Sequence, residues 1–316
     1  MENQTVVTEF ILLGFSDLSV SLQILLFCLF LVIYLFTLMG NLIIIAMVTL
    51  DPVLHTPMYF FLKNVSIIET FVTTVTVPKM LANLLAEEKG ISFLGCATQL
   101  FFFLFLGITE CFLLAVMSYD RYVAICDPLH YSAIMYKEKC AWLAAISWTG
   151  SMLLALRQTS LMFTLPYCGP NQINHFFCDI PPLLKLACTD TSMRELEISI
   201  YGLCELMTPC ILILISYTRI LSTILRIASA KGRQKAFSTC ASHLISVTLL
   251  YGSATVAYLI PRSWHSQALH SDKVVALFYA VMIPLLNPIV YSLRNKELKE
   301  ALSKWSGTGK LFPQIF

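Results

Sequence analysis

The segment from Leu22 to Leu50 contains 29 residues and no Asp, Glu, Lys, Arg or His. A helix rises about 1.5 Å per residue, so this segment can cross the roughly 30 Å hydrocarbon core of a bilayer with length to spare for tilt. The whole chain of 316 residues is 57% hydrophobic and only 13% charged, with a mean hydropathy of +0.75. Soluble domains carry about 25% charged residues, so the composition indicates a membrane protein.

Six further segments have the length and composition of membrane helices. The stretch from Asn295 to Trp305 has basic and apolar positions suited to a short helix lying on a membrane surface. The sequence therefore predicts an all-α membrane protein, a bundle of seven transmembrane helices with a short C-terminal surface helix. The six later segments are predicted at about Pro57–Leu85, Ile91–Cys126, Cys140–Leu165, Arg194–Ile227, Lys235–Pro261 and Val274–Leu293.

The distribution of basic residues predicts the orientation of the bundle. Residues 1–22 contain no Lys or Arg, whereas residues 294–316 contain five. Cytoplasmic segments carry an excess of Lys and Arg, so we expect an extracellular tail over 1–22, a seven-helix domain over 23–293 and a cytoplasmic tail with an amphipathic helix over 294–316. On an extracellular tail, the triplet that begins at Asn3 fits an N-glycosylation acceptor.

The third predicted helix ends in two adjacent charged residues. They lie in the string Met-Ser-Tyr-Asp-Arg-Tyr-Val-Ala-Ile-Cys, in which Asp120 and Arg121 are the charged pair. Charges at membrane depth normally face the bundle interior and pair with one another. An arginine that merely extends to the lipid headgroups is the alternative for the pair taken alone. The complete ten-residue string favours a functional pair at the end of the helix, where a partner protein can reach it.

This string resembles, almost letter for letter, the end of the third helix in olfactory receptors, a branch of the rhodopsin-like G-protein-coupled receptors. Other stretches extend the resemblance over nearly the whole chain: Pro57–Leu62, His175–Asp179, Lys235–Leu244 and Pro284–Tyr291. The resemblance implies a receptor in the plasma membrane that binds an odorant, activates a stimulatory G protein and raises cyclic AMP.

The resemblance also implies a switch at the inner end of the bundle. Asp120 would hold Arg121 at rest and release it on activation, and Tyr217 and Tyr291 would meet the freed arginine. An ion pair in a partly dry site is easily biased by a few kcal/mol, which suits a two-state element. Ordinary interfacial aromatic residues are the alternative for the two tyrosines; the Asn-Pro-x-x-Tyr context of Tyr291 favours the switch.

A ligand site is implied between the outer halves of the third, fifth, sixth and seventh helices. Its lining is mostly apolar with a few hydroxyl groups, as expected of a small-molecule pocket. The matching positions are Phe103, Leu104, Gly107, Ile108, Cys111, Tyr201, Glu205, Tyr251, Thr255, Tyr258 and Ala280.

Two of these positions have alternative roles. Glu205 lies one helical turn from Tyr201 and either meets the ligand or pairs within the protein, and internal pairing is favoured slightly. Gly107 costs a helix interior roughly 0.8–1 kcal/mol relative to Ala, so it is expected to have a compensating role. Either it allows two helices to approach closely, or it leaves room for the ligand, which we favour.

Glu69 and Glu110 are carboxylic acids in the middle of predicted membrane helices. Unpaired anions are costly there, so each should be protonated, paired or bound to a cation. The resemblance places a sodium ion at positions matching these two residues, with Asn41 and Asn287 nearby. A single proton shared by the two carboxyl groups is an equally good interpretation.

Four of the eleven cysteines are expected on the outer side: Cys96, Cys168, Cys178 and Cys188. Four cysteines allow three pairings, and their spacing alone does not choose among them. The resemblance implies the pairs Cys96–Cys178 and Cys168–Cys188. The absence of a CxxC motif and of Cys/His zinc spacing argues against a zinc or redox site.

Other classes of function are disfavoured. A transporter or channel would use the intramembrane acids Glu69, Glu110 and Glu205, but no internal repeat is visible. No HExxH, GxSxG or glycine-rich phosphate loop supplies an enzymatic site. A net charge of +2 is too small to indicate nucleic-acid binding.

Overall fold

The computed structural model describes residues 7–168, 171–227, 229–258, 268–294 and 296–305. The predicted glycosylation residue Asn3 lies outside these residues, as do Pro261 at the predicted end of the sixth segment and the final residues 306–316. The helices are α1 Val20–Leu50, α2 Pro57–Leu85, α3 Phe93–Cys126, α4 Tyr131–Ile134, α5 Lys137–Phe163, α6 Ile180–Leu184, α7 Ser192–Leu225, α8 Ala230–Tyr258, α9 Ala268–Leu277, α10 Ile283–Arg294 and α11 Lys296–Trp305.

Seven helical spans in the described part of the chain are long and apolar enough to cross a membrane. The first six are α1, α2, α3, α5, α7 and the part of α8 from Cys240. The seventh span runs from Lys273 to Ser292 and includes the end of α9 and most of α10. The predicted all-α bundle of seven transmembrane helices is confirmed.

The seventh span departs from the regular helix that its uncharged sequence predicts. A π-helical turn, Phe278–Met282, separates α9 from α10. Pro284 follows this turn, and a proline has no N–H to donate and its ring clashes with the carbonyl four residues earlier. Widening the helix just before the proline relieves that clash, which is a usual origin of π turns.

A small sheet covers one end of the bundle, which we call the sheet face. Strand β1 (Glu9–Leu12) pairs antiparallel with β2 (Gly90–Ser92) and parallel with β3 (Gln172–Ile173). Phe10 and Leu12 alternate with exposed or half-buried residues and are fully buried. Within the predicted extracellular tail over 1–22, the period-two apolar pattern therefore folds this part onto the bundle as a strand, which the sequence analysis did not predict.

The short C-terminal helix is also confirmed. In α11, Leu298 and Ala301 are buried, and Glu297 accepts a hydrogen bond of 2.6 Å from the hydroxyl of Tyr59 at the start of α2. We call this end of the bundle, opposite the sheet, the α11 face. Because α3 runs from β2 to Cys126 through 34 residues, it carries Asp120 and Arg121 to the α11 face.

Helix α3 lies at the centre of the bundle, against α2, α5, α7 and α8. Its buried residues run through its whole length, from Cys96 near the sheet face to Val123 near the α11 face. By contrast, α1 and α7 expose many large apolar side chains, including Leu29 and Leu214. Lipid tails are as apolar as these side chains, so the exposed apolar surface is compatible with a membrane environment.

Candidate functional site

At the α11 face, Asp120 is held from two sides. Its carboxylate lies 3.8 Å from the guanidinium of Arg121, and it accepts a hydrogen bond of 2.7 Å from the hydroxyl of Tyr131 in α4. Burial, and then the Asp120 carboxylate, raise the pKa of Tyr131, so its hydroxyl stays protonated and donates. Sequence reasoning missed Tyr131, because it is a loop tyrosine whose only signal is the Asp127-Pro128 helix stop shortly before it.

Tyr217 on α7 hydrogen-bonds to His243 on α8 rather than to Arg121. The tyrosine hydroxyl lies 2.8 Å from His243 Nδ1, and His243 Nε2 lies 3.0 Å from the backbone carbonyl of Leu114 on α3. A carbonyl only accepts, so Nε2 donates, and in the neutral ring Nδ1 then accepts from the tyrosine. Tyr217, His243 and the Leu114 carbonyl connect α7 and α8 to α3 about two turns before Arg121.

Tyr291 on α10 is buried, and its hydroxyl has no hydrogen-bond partner among the residues described. Tyr217 is buried as well. Neither ring lies at a lipid-facing surface, where interfacial aromatic residues are found. Tyr291 therefore has a hydroxyl donor available inside the bundle, and the charge of Arg121 acts on it.

Five helices meet at Glu69 and Glu110. Both acids are buried, and the side-chain amide of Asn287 on α10 donates to Glu69 Oε1 by a short bond and to Glu110 Oε1 at 3.5 Å. The oxygen of the same amide accepts from Ser246 on α8 at 2.7 Å. On α1, Asn41 donates to the carbonyl of Pro284, while its own Oδ1 is buried without a partner in the described part of the chain.

The cluster is rich in oxygen and short of donors. The side-chain amides of Asn287 and Asn41 both approach Glu69, and Asn287 also donates to Glu110, so the two carboxyl groups are close together and share few donors. Oxygen ligands are what hard cations prefer, and the unpartnered oxygen of Asn41 adds another. The residues present therefore fit a sodium ion held by two carboxyl groups and an amide oxygen, since no group of three or more His, Cys, Asp or Glu side chains is placed to hold a metal ion among the described residues.

Two predicted ligand residues connect α3 and α8. The hydroxyl of Tyr251 donates to the backbone carbonyl of Cys111 at 3.0 Å. This bond lies about one turn from the Leu114 carbonyl that His243 contacts, so α8 is fastened to α3 at two successive levels. The upper level belongs to the predicted ligand site and the lower level leads towards Arg121.

The sheet-face end of the predicted ligand site is aromatic. The ring of Phe103 lies 5.0 Å from that of Phe177 in the loop before α6 and 5.6 Å from that of Tyr279 in the π turn. Leu104 and Ala280 are buried nearby in the bundle, whereas Ile108 and Thr255 are half-buried. The loop between α5 and α7 thus packs directly over the predicted site.

Asp179 is a residue of this site that sequence reasoning missed. Its buried carboxylate accepts hydrogen bonds from the hydroxyls of Tyr258 at 3.1 Å and Tyr279 at 2.9 Å and from its neighbouring Ile180 amide at 2.8 Å. The cluster joins the loop to the sixth and seventh spans. The preceding Cys178 was the available signal, since a bridged cysteine carries its neighbour into the bundle.

Glu205 pairs within the protein through one of its two oxygens. Its Oε2 accepts from Gln158 Nε2 on α5 at 2.5 Å. Nearby, the Arg157 guanidinium stacks 3.3 Å above the ring of Tyr201 and donates to Glu197 at 2.8 Å. Tyr201 is therefore turned towards α5.

Gly107 faces open space: a β-carbon built there would have no heavy atom of another part of the protein within 4 Å. A close helix approach at this residue, the alternative explanation for the glycine, has no support in the structure. The unfilled space is next to Ile108 and one turn from both Phe103 and Cys111, all of them predicted ligand residues.

Disulfides join Cys96 to Cys178 and Cys168 to Cys188, the two pairs that the sequence resemblance implies. The first ties the loop after α5 to the start of α3, and the second closes a smaller ring within that loop. The other seven cysteines are free.

Comparison with known proteins identifies the family. The olfactory receptor family matches residues 27–306. Human olfactory receptor 10A7 is 54% identical over 303 residues, covering 96% of this chain and 95% of the relative. Human olfactory receptor 10A5 is 54% identical over 302 residues, with the same shares covered.

Among solved structures, squid rhodopsin superimposes with a TM-score of 0.69 at 19% identity, covering 94% of this chain and 89% of that one. At this identity the likeness shows the fold alone, and the fold is that of the rhodopsin-like receptors. Members of the family are signalling receptors and not enzymes. With more than half of its residues identical to these relatives along nearly its whole length, the chain belongs to the olfactory receptor family of G-protein-coupled receptors.

Proposed function

We propose that this receptor binds a small, mostly apolar odorant between α3, α7, α8 and the seventh span, activates a stimulatory G protein and thereby raises cyclic AMP. It would do so in the plasma membrane, with the sheet face outside and the α11 face in the cytoplasm. The distribution of basic residues supports this orientation, since the tail after 293 is rich in Lys and the residues before α1 have none.

The observation that carries the proposal is the two-level attachment of α8 to α3. Tyr251 is bonded to the Cys111 carbonyl within the predicted ligand site, and His243 is bonded to the Leu114 carbonyl beside Tyr217. A ligand that competes for the upper bond loosens α8 from α3. Because helix packing has discrete arrangements, a small change at the upper level favours a shift of α8 that opens the α11 face.

The α11 face contains the residues that would meet the G protein. Asp120 and Tyr131 hold a buried arginine side chain beside the helix ends. Movement of α8 and α7 would expose Arg121 to a partner and bring Tyr217, and from α10 Tyr291, within reach of it. A buried arginine that becomes free presents five N–H donors to a docking protein.

We further propose that Glu69 and Glu110 bind one sodium ion in the resting receptor. The unpartnered oxygen of Asn41 supports sodium over a shared proton, because a proton on the carboxyl pair would leave that oxygen without a partner. A bound cation would link α1, α2, α3 and α10 and favour their resting arrangement.

The test of the main function is a cyclic AMP readout in cells that express the full chain and are exposed to a panel of odorants. A dose-dependent rise for at least one odorant, absent in mock-transfected cells, is the expected result. An odorant response carried by another second messenger would overturn the stimulatory coupling. Odorant-dependent ion current or uptake without cyclic AMP would favour a transporter or channel.

A further inference from the structure

A groove of about 550 Å³ lies between α2 and α3 in the half of the bundle near the sheet face. Its walls include Val75 and Lys79 from α2 and Leu94, Thr98 and Phe102 from α3. This volume is within the range of small-molecule sites, which is roughly 300–1,000 Å³. The groove is outside the predicted odorant site, none of whose residues lines it.

The groove opens on the outer, membrane-facing side of the bundle. Phe103 in the odorant site is 8% exposed, whereas its neighbour Phe102 in the groove is 41% exposed and Leu94 is 75% exposed. Successive helical residues point about 100° apart, so the two phenylalanines serve different faces of α3. In a membrane, the exposed side of α3 meets lipid.

Lys79 provides the groove with a positive charge. Its ammonium donates to the backbone carbonyl of Gly90 in β2 at 2.6 Å. No acidic side chain in the described part of the chain forms an ion pair with it. An ammonium has three N–H donors, and a cation within a membrane span without an anionic partner is costly. The groove therefore favours an occupant that brings an anion to Lys79.

Charge and apolar surface are arranged along the groove by depth. Lys79 lies six residues, or about 9 Å, before the end of α2 at Leu85, close to the sheet face. Val75 is one turn deeper on α2, and Phe102 is nine residues, about 13 Å, into α3. A membrane phospholipid has the same order, with its phosphate at the interface and its acyl chains below.

We propose that this groove is a binding site for one phospholipid of the surrounding membrane. A phosphate oxygen accepts a hydrogen bond from the Lys79 ammonium, and an acyl chain lies over Val75 and Phe102. Charge-assisted hydrogen bonds of this kind are stronger than neutral ones, so the lipid is held more tightly than its neighbours in the bilayer. The proposal stands on this groove alone and is independent of the odorant and G-protein functions.

The test measures phospholipid that stays with the full-length receptor. The wild type is purified in detergent, delipidated, titrated with phosphatidylcholine and examined by native mass spectrometry. We expect the wild type to bind one phospholipid saturably. Lys79→Gln should bind it about tenfold more weakly, because one charge-assisted hydrogen bond is lost. Lys89→Gln is the matched control, because Lys89 lies on the same face, bonds Ser16 and does not line the groove.

Two further variants keep the test decisive. Lys79→Arg retains the charge and should retain the lipid. Thr98→Trp fills the groove from α3 without changing charge, and it should displace the lipid even if Lys79→Gln fails to fold. Equal retention by wild type, Lys79→Gln and Thr98→Trp would overturn the proposal. The proposal would also be overturned if an uncharged diacylglycerol competed with phosphatidylcholine at equal strength, because the groove would then recognise apolar chains only. Displacement of phosphatidylcholine by an equal concentration of free fatty acid would overturn it as well.

Discussion

Glu205 accepts a hydrogen bond from Gln158 through Oε2 at 2.5 Å, while its other oxygen, Oε1, is buried without a hydrogen-bond partner in the described part of the protein. Arg157, whose positive charge acts on Glu205, is bonded to Glu197 and stacked on Tyr201. A buried acceptor without a donor costs roughly 1–3 kcal/mol. A ligand with an O–H or N–H group is a natural partner for this oxygen.

We therefore expect Glu205→Gln to discriminate between classes of odorant. The change keeps the shape but turns a charge-assisted acceptor into a neutral one, a difference of about 1.4 kcal/mol or tenfold in potency. Alcohols or amines should lose about tenfold in half-maximal concentration for cyclic AMP, and matched ethers or hydrocarbons should change little. Glu197→Gln on the same helix is the control, and an equal shift for both ligand classes would refute the role of Glu205.

Gly107 and Gly40 should respond oppositely to the same enlargement. A β-carbon at Gly107 meets no heavy atom within 4 Å, whereas one at Gly40 lies 3.2 Å from the Pro288 ring carbon Cβ. Gly107→Leu should reach the surface and keep basal signalling but lose the response to larger odorants first. Gly40→Leu should reduce surface protein, because α1 cannot approach α10. Surface labelling with a dose–response series measures both, and lost surface delivery of Gly107→Leu would point to packing instead.

Arg121→Ala should leave the receptor at the cell surface and abolish the odorant-driven rise in cyclic AMP. The arginine is the charged group that Asp120 holds beside the α11 face, and its removal takes away the donors offered to a G protein. Surface labelling with the cyclic AMP dose response gives the measurement. A normal dose response at equal surface density would show that Arg121 is not part of the switch.

The two disulfides should differ in importance. The bridge between Cys96 and Cys178 spans 82 residues, and the one between Cys168 and Cys188 spans 20. In the chain-entropy description, a bridge stabilises the folded protein by about 3 kcal/mol when it closes a 15-residue loop and by about 4.7 kcal/mol when it closes a 100-residue loop. Cys96→Ser or Cys178→Ser should prevent surface delivery, and Cys188→Ser should reduce it less. Unchanged surface labelling of the first two variants would contradict this order.

Sodium should lower basal G-protein nucleotide exchange in membranes that contain the receptor, because a cation between Glu69 and Glu110 favours the resting arrangement. Replacing sodium with choline at constant ionic strength should raise that exchange severalfold. Glu110→Gln removes one of the two charges and should abolish the sodium effect. A wild type that responds to pH but not to sodium would favour the shared proton.

The number and place of the membrane spans follow from local composition. The segment Leu22–Leu50 is predicted as a membrane helix from its own residues, because it is long enough to cross the bilayer and has no charged side chain. The Asp120–Arg121 string likewise indicates the family and the end of α3 without knowledge of any contact. The strand at Glu9–Leu12 was missed because its partners, β2 and β3, are far away in the chain.

The roles of individual polar residues depend on partners that only the tertiary structure brings together. Glu205 and Gln158 are 47 residues apart, and Tyr279 and Asp179 are 100 apart. The sequence shows that each buried polar group needs a partner, since leaving it unpaired is costly. Packing decides which helix supplies that partner. The rotation and depth of α3, α5, α7 and the seventh span determine which side chains meet, and no local sequence pattern encodes this rotation and depth.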